Sequence, residues 1–324
     1  MRIATNGIVI DQFGQVLLIQ RDDTRMLAPP GGGLEVGELP TENVAREVRE
    51  ETGLIVMPVR LTGLYFWPMQ PDEGALVFTF RCIMRGGTIQ TSAESPRVGF
   101  FKTNPLPRSL LRMHRERVEH AWRHPGGPPH WQQQTLSVPV KIGRFLIFNV
   151  LYPWRNWRRR QRKEPAYVPS PSWQTGAFTV IGNDEGQVLW VKRRDKEVWN
   201  LPGGGGNSLE PPWETAIRET REETGLTVRL TDLTGVYVRS NTAQMMLSFT
   251  AEVESGKLTT GPEAAEFAYF TAGEEPANAL PQHIQLVANA VGRSEERVFR
   301  LYEKEPVTSD TSFEDSGLSS AQAQ

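Results

Sequence analysis

Cysteine is almost absent from this chain of 324 residues, which contains Cys82 alone. A single cysteine cannot form an intramolecular disulfide, so the class of small disulfide-stapled secreted proteins is excluded and a reducing compartment is favoured. Long apolar runs are also missing. The longest outside the repeats described below, residues 145–152, is far shorter than the roughly 20 residues of a transmembrane helix. Residues 1–10 lack the charged-then-apolar layout of a signal peptide, and we expect a soluble, cytoplasmic protein that does not span a membrane.

The chain has little net charge, −2, but this balance conceals a basic middle segment. Residues 104–172 contain 13 Lys and Arg against 3 Asp and Glu, so the segment carries +10 and the remainder −12. Hydrophobic residues make up 38% and charged residues 23%, which is ordinary globular usage and excludes extensive disorder. The length exceeds that of one usual compact domain, so two domains are expected.

An internal repeat defines the domain organisation. Residues 14–67 align without gaps onto residues 186–239, and 26 of these 54 pairs are identical. A repeat of this length is a duplicated domain and not a unit of a stacked solenoid. We predict a first domain at 1–124, a basic linker at 125–172, a second domain at 173–304 and a disordered polar tail at 305–324.

The same order of elements is predicted in each copy: two strand-like runs, a glycine cluster, a helix and further strands. In copy one Pro40 suits the first turn of the helix and Gly53 its left-handed end, and in copy two Pro212 and Gly225 take these places. A closing helix is expected to begin near Pro107 in copy one and near Pro281 in copy two. Strands interleaved with two helices predict an α/β fold in which each domain is an α/β/α sandwich around a mixed sheet.

Three glutamates of copy one, Glu47, Glu50 and Glu51, are spaced i, i+3 and i+4 and therefore share one face of the predicted helix. Like charges so close destabilise a helix unless a positive group lies among them. A divalent cation is the natural partner, and all-oxygen ligands favour Mg²⁺, with Mn²⁺ as the second choice. The same spacing recurs in copy two, at Glu219, Glu222 and Glu223.

A solvated acidic helix face is the alternative explanation of these glutamates. It does not account for the glycine clusters that precede both helices, at residues 30–33 and 202–206. Without side chains, glycines let the backbone turn tightly and approach a helix or a ligand. The combination predicts a site for a pyrophosphate group in each copy.

The two segments also resemble a known family motif. In copy one Gly32 is followed by five residues, Glu38, seven residues and the segment 46–54, and copy two has the same arrangement from Gly204 and Glu210 to the segment 218–226. Both resemble the Nudix box, with every fixed position filled except the apolar position held by Thr220. Nine specified residues over 23 positions, found twice, identify the chain as a member of the Nudix (MutT-like) family.

The resemblance implies a hydrolase in which water attacks a bridging diphosphate of a small nucleotide, such as an ADP-ribose-like compound or a nucleoside triphosphate. In such a reaction metal ions neutralise the phosphoryl charge and lower the pKa of the attacking water, while a glutamate accepts its proton. It implies the metal ligands Glu47, Glu50, Glu51, Glu219, Glu222 and Glu223. It also implies the orienting arginines Arg46 and Arg218, the supporting glutamates Glu38 and Glu210, and the loop glycines Gly32, Gly33, Gly204 and Gly205.

The general base of such enzymes often lies in a loop outside the box. The candidates are Glu94 in copy one and Glu263 or Glu266 in copy two. A solvated surface role is the alternative for each of these residues.

Two positions of copy two depart from copy one. Leu209 stands where copy one has Gly37, so the loop entering the second helix is expected to take another path. Thr220 replaces Val48, and its hydroxyl is expected to return to a backbone carbonyl.

Substrate choice is not written in the box. Pro68 lies near the place where ADP-ribose hydrolases of the family carry a proline, or it belongs to an ordinary turn. Several aromatic residues are able to stack a base or to face the core, namely Tyr65, Phe66, Trp67 and Tyr237.

The basic linker suggests a further partner. Its cluster Arg155, Arg158, Arg159, Arg160, Arg162 and Lys163 follows an apolar stretch, which is typical of contact with an anionic membrane surface or nucleic acid. A helix packed between the domains is the alternative. The histidines His114, His120, His124 and His130 are not spaced as a metal site.

These observations favour a hydrolase with two working sites. The rival hypothesis is one catalytic domain joined to a ligand-sensing or partner-binding domain, which the loss of a metal-ligating glutamate in one copy would indicate. Neither copy shows that loss. A second rival is an RNA-processing role through the basic linker.

Overall fold

A computed structural model describes residues 1–70, 73–92, 95–124, 126–135, 170–292 and 297–302, with four isolated positions between 153 and 161. The predicted basic cluster Arg155 to Lys163, the tail 305–324 and Glu94 lie outside the described residues. Their predicted roles stay predictions. No helix in the described ranges is long and apolar enough to cross a membrane.

The first copy contains two sheets and two helices. A mixed sheet has the strand order β1 (Arg2–Val9), β5 (Glu73–Gly87), β4 (Leu54–Gln70) and β7 (His130–Gln133), and an antiparallel sheet has the order β3 (Leu27–Ala28), β2 (Gln15–Gln20) and β6 (Arg97–Lys102). In the mixed sheet β1 and β5 are parallel, β5 and β4 antiparallel, and β4 and β7 parallel. The helices are α1 (Pro40–Thr52) and α2 (Arg112–Arg123).

The second copy repeats this plan. Its mixed sheet has the order β11 (Gly203–Gly205), β8 (Gln174–Ile181), β13 (Gln244–Gly256), β12 (Leu226–Arg239) and β15 (Val298–Tyr302). Its antiparallel sheet has the order β10 (Trp199–Asn200), β9 (Val188–Arg193) and β14 (Ala264–Phe270), and its helices are α3 (Pro212–Thr224) and α4 (Pro281–Val291). The predicted α/β class, with a mixed sheet in each of two domains, is confirmed.

Local sequence explains the bounds of the first glutamate helix. Pro40 opens α1, where its fixed φ fits a helix and its missing N–H is not needed. The Leu39 N–H donates to Glu42 Oε2 at 2.9 Å, and Gly53 ends the helix with a φ of 73°. Helix α3 begins at Pro212 and ends at Gly225 in the same way. The predicted starts and stops of both helices are confirmed.

Two features differ from the sequence-based expectation. Helix α2 begins at Arg112 and not near Pro107, because Leu110 N–H bonds to Pro107 O and closes a turn before the helix. Strand β7 lies inside the segment predicted as linker and pairs with β4, so the first sheet extends to Gln133. A four-residue strand among glycines and prolines gives too short a pattern to be found from sequence.

The two domains are packed together. Buried residues of both belong to one hydrophobic cluster, which contains Leu76 and Phe78 of the first domain and Leu247 and Phe249 of the second. Backbone bonds also join them, since Trp173 N–H donates to Met1 O at 2.6 Å.

Two aromatic contacts cross this interface in a related way. Trp131 of β7 meets Phe249 of β13 edge-on at 5.9 Å between ring centroids, and Phe299 of β15 meets Phe80 of β5 at 5.5 Å. Trp131 and Phe299 hold equivalent register positions in the two copies, as do Phe80 and Phe249. The domains therefore face each other like two subunits of an isologous dimer.

Candidate active sites

A single arginine organises the carboxylates of copy one. Arg46 donates from Nε to Glu38 Oε1 at 2.8 Å and from Nη2 to Glu38 Oε2 at 3.1 Å, a bidentate pair. Its Nη1 donates to Glu47 Oε1 at 2.9 Å and to Glu50 Oε2 at 3.1 Å. The arginine thus fixes the orientation of three glutamates from two turns of α1 and the loop before it.

Copy two has the same arrangement. Arg218 donates from Nε and Nη2 to Glu210 at 2.7 and 2.9 Å, and from Nη1 to Glu219 at 2.6 Å and Glu222 at 2.9 Å. Its Nη2 also donates to Gly205 O at 3.1 Å. The residues that the box aligns in sequence are therefore brought together in space in both copies.

The glycine cluster of copy one adjoins the glutamates directly. The Gly31 N–H donates to Glu51 Oε2 at 2.8 Å, and the φ of Gly31 is 151°. A Cβ at Gly31 would lie 2.0 Å from the Thr5 carbonyl oxygen, and one at Gly32 would lie 2.5 Å from the Glu47 carboxylate. Any larger residue at these two places would displace the strand or the carboxylate. In copy two Gly203 donates to Glu223 Oε2 at 2.9 Å.

The glutamates differ in exposure. The side chains of Glu50 and Glu222 are 60% and 54% exposed, whereas those of Glu47 and Glu219 are only 16% and 15% exposed. Burial raises the pKa of Glu47 and of Glu219, against the effect of the neighbouring arginine.

Glu223 is the most strongly perturbed carboxyl of copy two. Burial, and then the charges of Glu219 and Glu263, raise its pKa to about 8, although the hydrogen bond from Gly203 lowers it. Concentrated, partly buried negative charge, with Arg218 and Arg193 at its edge, is the electrostatic setting that a cation stabilises. The Arg218 pKa is raised by its hydrogen bonds to Glu210, so the arginine stays charged.

The loop before α3 follows the path of its counterpart, and the expectation of another path is wrong. Leu209 has a φ of 67° where Gly37 has 81°. Glu38 N–H bonds to Glu35 O at 3.2 Å, and Glu210 N–H bonds to Asn207 O at 3.2 Å. The turn hydrogen bonds hold the leucine in a left-handed conformation that costs about 1 kcal/mol or more.

The expectation that the Thr220 hydroxyl bonds to a backbone carbonyl is wrong. This hydroxyl lies 2.5 Å from the hydroxyl of Thr179 on β8. At the equivalent place in copy one, a Cβ on Gly7 would lie 2.7 Å from Val48 Cγ2. A glycine–valine pair has been replaced by a hydrogen-bonded threonine pair, which the sequence of the box alone does not reveal.

The candidate bases of copy two have different surroundings. Glu263 is close enough to raise the pKa values of both Glu219 and Glu223. Glu266 lies on β14, where its carboxylate is 3.7 Å from Lys192 Nζ. Glu263 thus belongs to the carboxylate cluster, whereas Glu266 has a surface ion pair.

The aromatic residues considered for base stacking are buried. Phe66 and Tyr65 are fully inaccessible, Tyr237 is 4% exposed and Trp67 is 8% exposed. This favours the core interpretation over a stacking platform. Pro68 pairs with Gly74 near the end of the β4–β5 hairpin, and its role in substrate choice stays a prediction.

One buried charge of copy one was not identified from sequence. Arg117 of α2 is 1% exposed, donates to Asn6 Oδ1 at 2.6 Å and to Gln134 Oε1 at 2.9 Å, and lies over the rings of Tyr65 and Trp67. Burial lowers its pKa to about 9. Two features of the sequence could have indicated this burial. Arg117 stands next to the apolar Val118 in the predicted helix, and Asn6 is a polar residue within an apolar strand.

The histidines of copy one are closer together than their spacing suggested. His120 lies 4.2 Å from His130 and 6.1 Å from His124 between ring centroids, and its Nδ1 is 2.7 Å from the Tyr65 hydroxyl. In the described part of the chain no group of three or more His, Cys, Asp or Glu side chains is preformed around a metal ion. Neither the histidines nor the glutamates form such a group, and the less exposed glutamates, Glu47 and Glu219, contact arginine instead.

Comparison with known proteins places the chain in a family. A family model described as the NUDIX domain matches residues 1–102 and 173–290. These segments make up more than half of the chain, so the protein belongs to the NUDIX family.

Three relatives illustrate the likeness. The chain is 34% identical over 128 residues to a MutT-like protein of Streptomyces ambofaciens, covering 40% of this chain and 80% of that one. It is 35% identical over 107 residues to a putative 8-oxo-dGTP diphosphatase of Bacillus subtilis strain 168, covering 33% and 72%. It is 34% identical over 110 residues to an ADP-ribose pyrophosphatase of Methanocaldococcus jannaschii, covering 33% and 64%. The prediction of a Nudix hydrolase acting on diphosphate bonds of nucleotide derivatives is confirmed, and Nudix hydrolases generally use divalent metal ions.

Proposed function

We propose that both copies are active sites that hydrolyse the diphosphate linkage of small nucleotide derivatives, each with its own Mg²⁺ or Mn²⁺. The observation that carries this proposal is the duplication of one geometry: an arginine that binds three glutamates, and a glycine N–H that binds a fourth. A sensing domain would not need to keep every one of these contacts. The rival of one catalytic and one sensing domain is therefore the weaker candidate.

The residues present fit a hard divalent cation. The donor set is entirely carboxylate oxygen, which suits magnesium or manganese. Burial of Glu47 and Glu219 raises their pKa values, so each gains from a nearby positive charge. A bound cation would neutralise phosphoryl charge and lower the pKa of a water molecule.

The chain's own residues would divide the remaining work. Arg46 and Arg218 orient the inner glutamates through bonds of 2.9 and 2.6 Å. Glu38 and Glu210 hold each arginine in place from the opposite side through bidentate pairs. Glu51 and Glu223 tie the helix to the glycine loop, so that the loop backbone and the carboxylates keep one spacing.

Glu263 is our proposed general base of copy two, because its charge reaches the carboxylate cluster while it remains exposed to solvent. Arg97 and Glu266 are equivalent, because they pair with the equivalent strand positions Gln20 and Lys192. Glu94 and Glu263 each stand three residues before this position in the sequence. Glu94 is therefore the corresponding proposal for copy one.

We predict that Glu263→Gln lowers kcat of copy two by at least about a hundredfold, the lower end of the range for loss of a general base. The matched control is Glu266→Gln, which breaks only the contact with Lys192 and should leave kcat within twofold. Both would be measured with Glu50→Gln and Glu51→Gln present to silence copy one. Equal rates for the two variants would show that Glu263 is not the base.

The substrate is best sought among nucleotides with a diphosphate bridge. The names of relatives point to oxidised nucleoside triphosphates and to ADP-ribose. A panel of nucleoside triphosphates, their 8-oxo forms, ADP-ribose, nucleotide sugars and dinucleotides, scored for phosphate-containing products with Mg²⁺, with Mn²⁺ and with EDTA, tests the proposal. Cleavage that needs the cation supports it, and the absence of cleavage across the panel would contradict it.

A further inference from the structure

We propose that the second domain, together with the segment that leads into it, is a positioning element for the first active site, through contacts of Ser170 in that segment and of the Ser240 carbonyl with Gly33 and Gly37. The contacts involve the loop that carries Glu38, so the inference rests on the proposed function. It assigns to the domain interface a role in the geometry of one site and not of the other.

The glycine loop of copy one is touched from outside its own domain. A Cβ at Gly33 would lie 2.7 Å from Ser170 Cβ and 2.9 Å from its Oγ. A Cβ at Gly37 would lie 2.7 Å from the Ser240 carbonyl oxygen and 3.7 Å from the Ser240 carbonyl carbon. At each of these two glycines a methyl group would therefore collide with an atom outside the first domain.

The equivalent loop of copy two is less crowded at the first of these positions. Among the residues that the structure describes, no atom would lie within 4 Å of a Cβ at Gly205, which corresponds to Gly33. Leu209, which corresponds to Gly37, carries a full side chain in the same left-handed conformation. The conformation therefore does not itself demand glycine, and the close approach of Ser240 explains why copy one has no side chain there.

The surface that touches Gly37 is held firmly. Ser240 N–H donates to Tyr302 O on β15 at 3.1 Å, and Gln174 N–H on β8 donates to Ala243 O at 2.8 Å. Arg239 Nη1 donates to Gln244 Oε1 across the turn. A turn fixed to two strands of the second sheet acts as a rigid stop for the loop.

The loop in turn sets the arginine. Glu38 follows Gly37 directly and makes the bidentate pair with Arg46, which orients Glu47 and Glu50. Asn43 Nδ2 also donates to both Gly33 O and Glu38 Oε2, at 2.8 and 2.9 Å. A shift of either glycine would therefore move Glu38, and misplacement by about 1 Å in an active site costs up to about a hundredfold in rate.

The test is a rescue experiment in the full chain with copy two silenced by Glu222→Gln and Glu223→Gln. Gly33→Ala introduces one methyl group against Ser170, and we expect kcat of copy one to fall by about tenfold or more. Ser170→Gly removes the obstructing side chain and should restore kcat of the double variant to within about twofold. Ser170→Gly alone removes one of the two contacts and should lower kcat by no more than about twofold, because the Ser240 carbonyl still holds Gly37. Gly37→Leu, which copies the sequence of the second loop, should also lower kcat, without rescue by Ser170→Gly.

A second readout does not depend on hydrolysis. Amide hydrogen exchange of residues 31–39 should accelerate in Gly33→Ala and return to the native rate in Gly33→Ala with Ser170→Gly. The matched control is Gly205→Ala, which should leave exchange of residues 203–211 unchanged because no atom of the described ranges lies near its new methyl group.

Native exchange and native kcat in Gly33→Ala would overturn the inference, and so would a failure of Ser170→Gly to rescue a folded Gly33→Ala variant. If the parent protein cleaved nothing while exchange behaved as expected, the proposed function would fail and the contact between the domains would stand.

Discussion

The two copies keep one arrangement of charged groups on different supports. Around the glutamate helix, copy one places Gly7 against Val48, whereas copy two joins Thr179 to Thr220 by a hydrogen bond of 2.5 Å. Arg46 and Arg218 nevertheless hold their glutamates within 0.3 Å of the same distances. The residues of the box therefore fix the site geometry locally, while the two packing residues beneath the helix differ between the copies as a complementary pair.

The closing helices differ more. In copy one Arg117 is buried among Asn6, Gln134 and two aromatic rings. Its counterpart in copy two is Leu286, within an apolar cluster, because His120 and Asn289, three residues further along each helix, bond to the equivalent Tyr65 and Tyr237. Each helix has a histidine three residues before this position, the partly buried His114 in α2 and the buried His283 in α4. In copy two the backbone N–H of Leu201 donates to His283 Nδ1 at 2.8 Å. In copy one the residue equivalent to Leu201 is Pro29, which has no N–H to donate to His114.

The largest effect on stability is expected from making copy one resemble copy two at Arg117. Arg117→Leu leaves the side-chain oxygens of Asn6 and Gln134 without their buried donors, which costs about 1–3 kcal/mol each and is partly offset by removal of a buried charge. We expect the free energy of unfolding in urea to fall by about 3 kcal/mol. Arg112→Leu, at a side chain that is 93% exposed, is the control and should change it by less than about 0.5 kcal/mol. An unchanged free energy of unfolding in Arg117→Leu would contradict a stabilising role of the buried arginine.

A smaller effect should follow from exchanging the packing beneath the first helix. Gly7→Thr forces a side chain against Val48 and should cost about 2 kcal/mol of stability by overpacking. Adding Val48→Thr recreates the threonine pair of copy two and should recover at least half of that loss. The double-mutant cycle in urea measures the coupling, and strictly additive losses would contradict the matched-pair account.

The pH dependence of stability should reveal the burial of His283 as an effect of about 1 kcal/mol. Burial lowers the pKa of His283 from 6.5 to about 3. Below pH 6.5 the unfolded chain binds a proton at this histidine that the folded chain does not, so its contribution lowers stability as the pH falls and is absent above pH 7. His283→Gln should remove about 1 kcal/mol of the stability lost between pH 7 and 5.5. An unchanged slope would mean that His283 is protonated in the folded protein.

Much of this comparison was predictable from the sequence. The repeat, the helix ends at Gly53 and Gly225 and the grouping of glutamates around each arginine follow from local spacing and from capping residues. Contacts between distant segments were not predictable in this way. The burial of Arg117, the pairing of Thr220 with Thr179 and the approach of Ser240 to Gly37 each join residues more than 40 positions apart. The path of the loop at Leu209 was predicted wrongly because turn hydrogen bonds outweigh the intrinsic preference of leucine.

The most direct test of two working sites is to silence each one separately. Glu50→Gln with Glu51→Gln, and Glu222→Gln with Glu223→Gln, keep the shape of each site and remove two charges, so each pair should lower the activity of its own copy by at least about a hundredfold. Thermal unfolding and circular dichroism would confirm that each variant is folded. Substrate turnover with Mg²⁺ would then be measured for both double variants and for the quadruple variant. If both copies are active sites, each double variant retains the activity of the untouched copy and only the quadruple variant is inert. If one double variant alone abolished cleavage of every substrate, only one copy would be catalytic and the account would be contradicted.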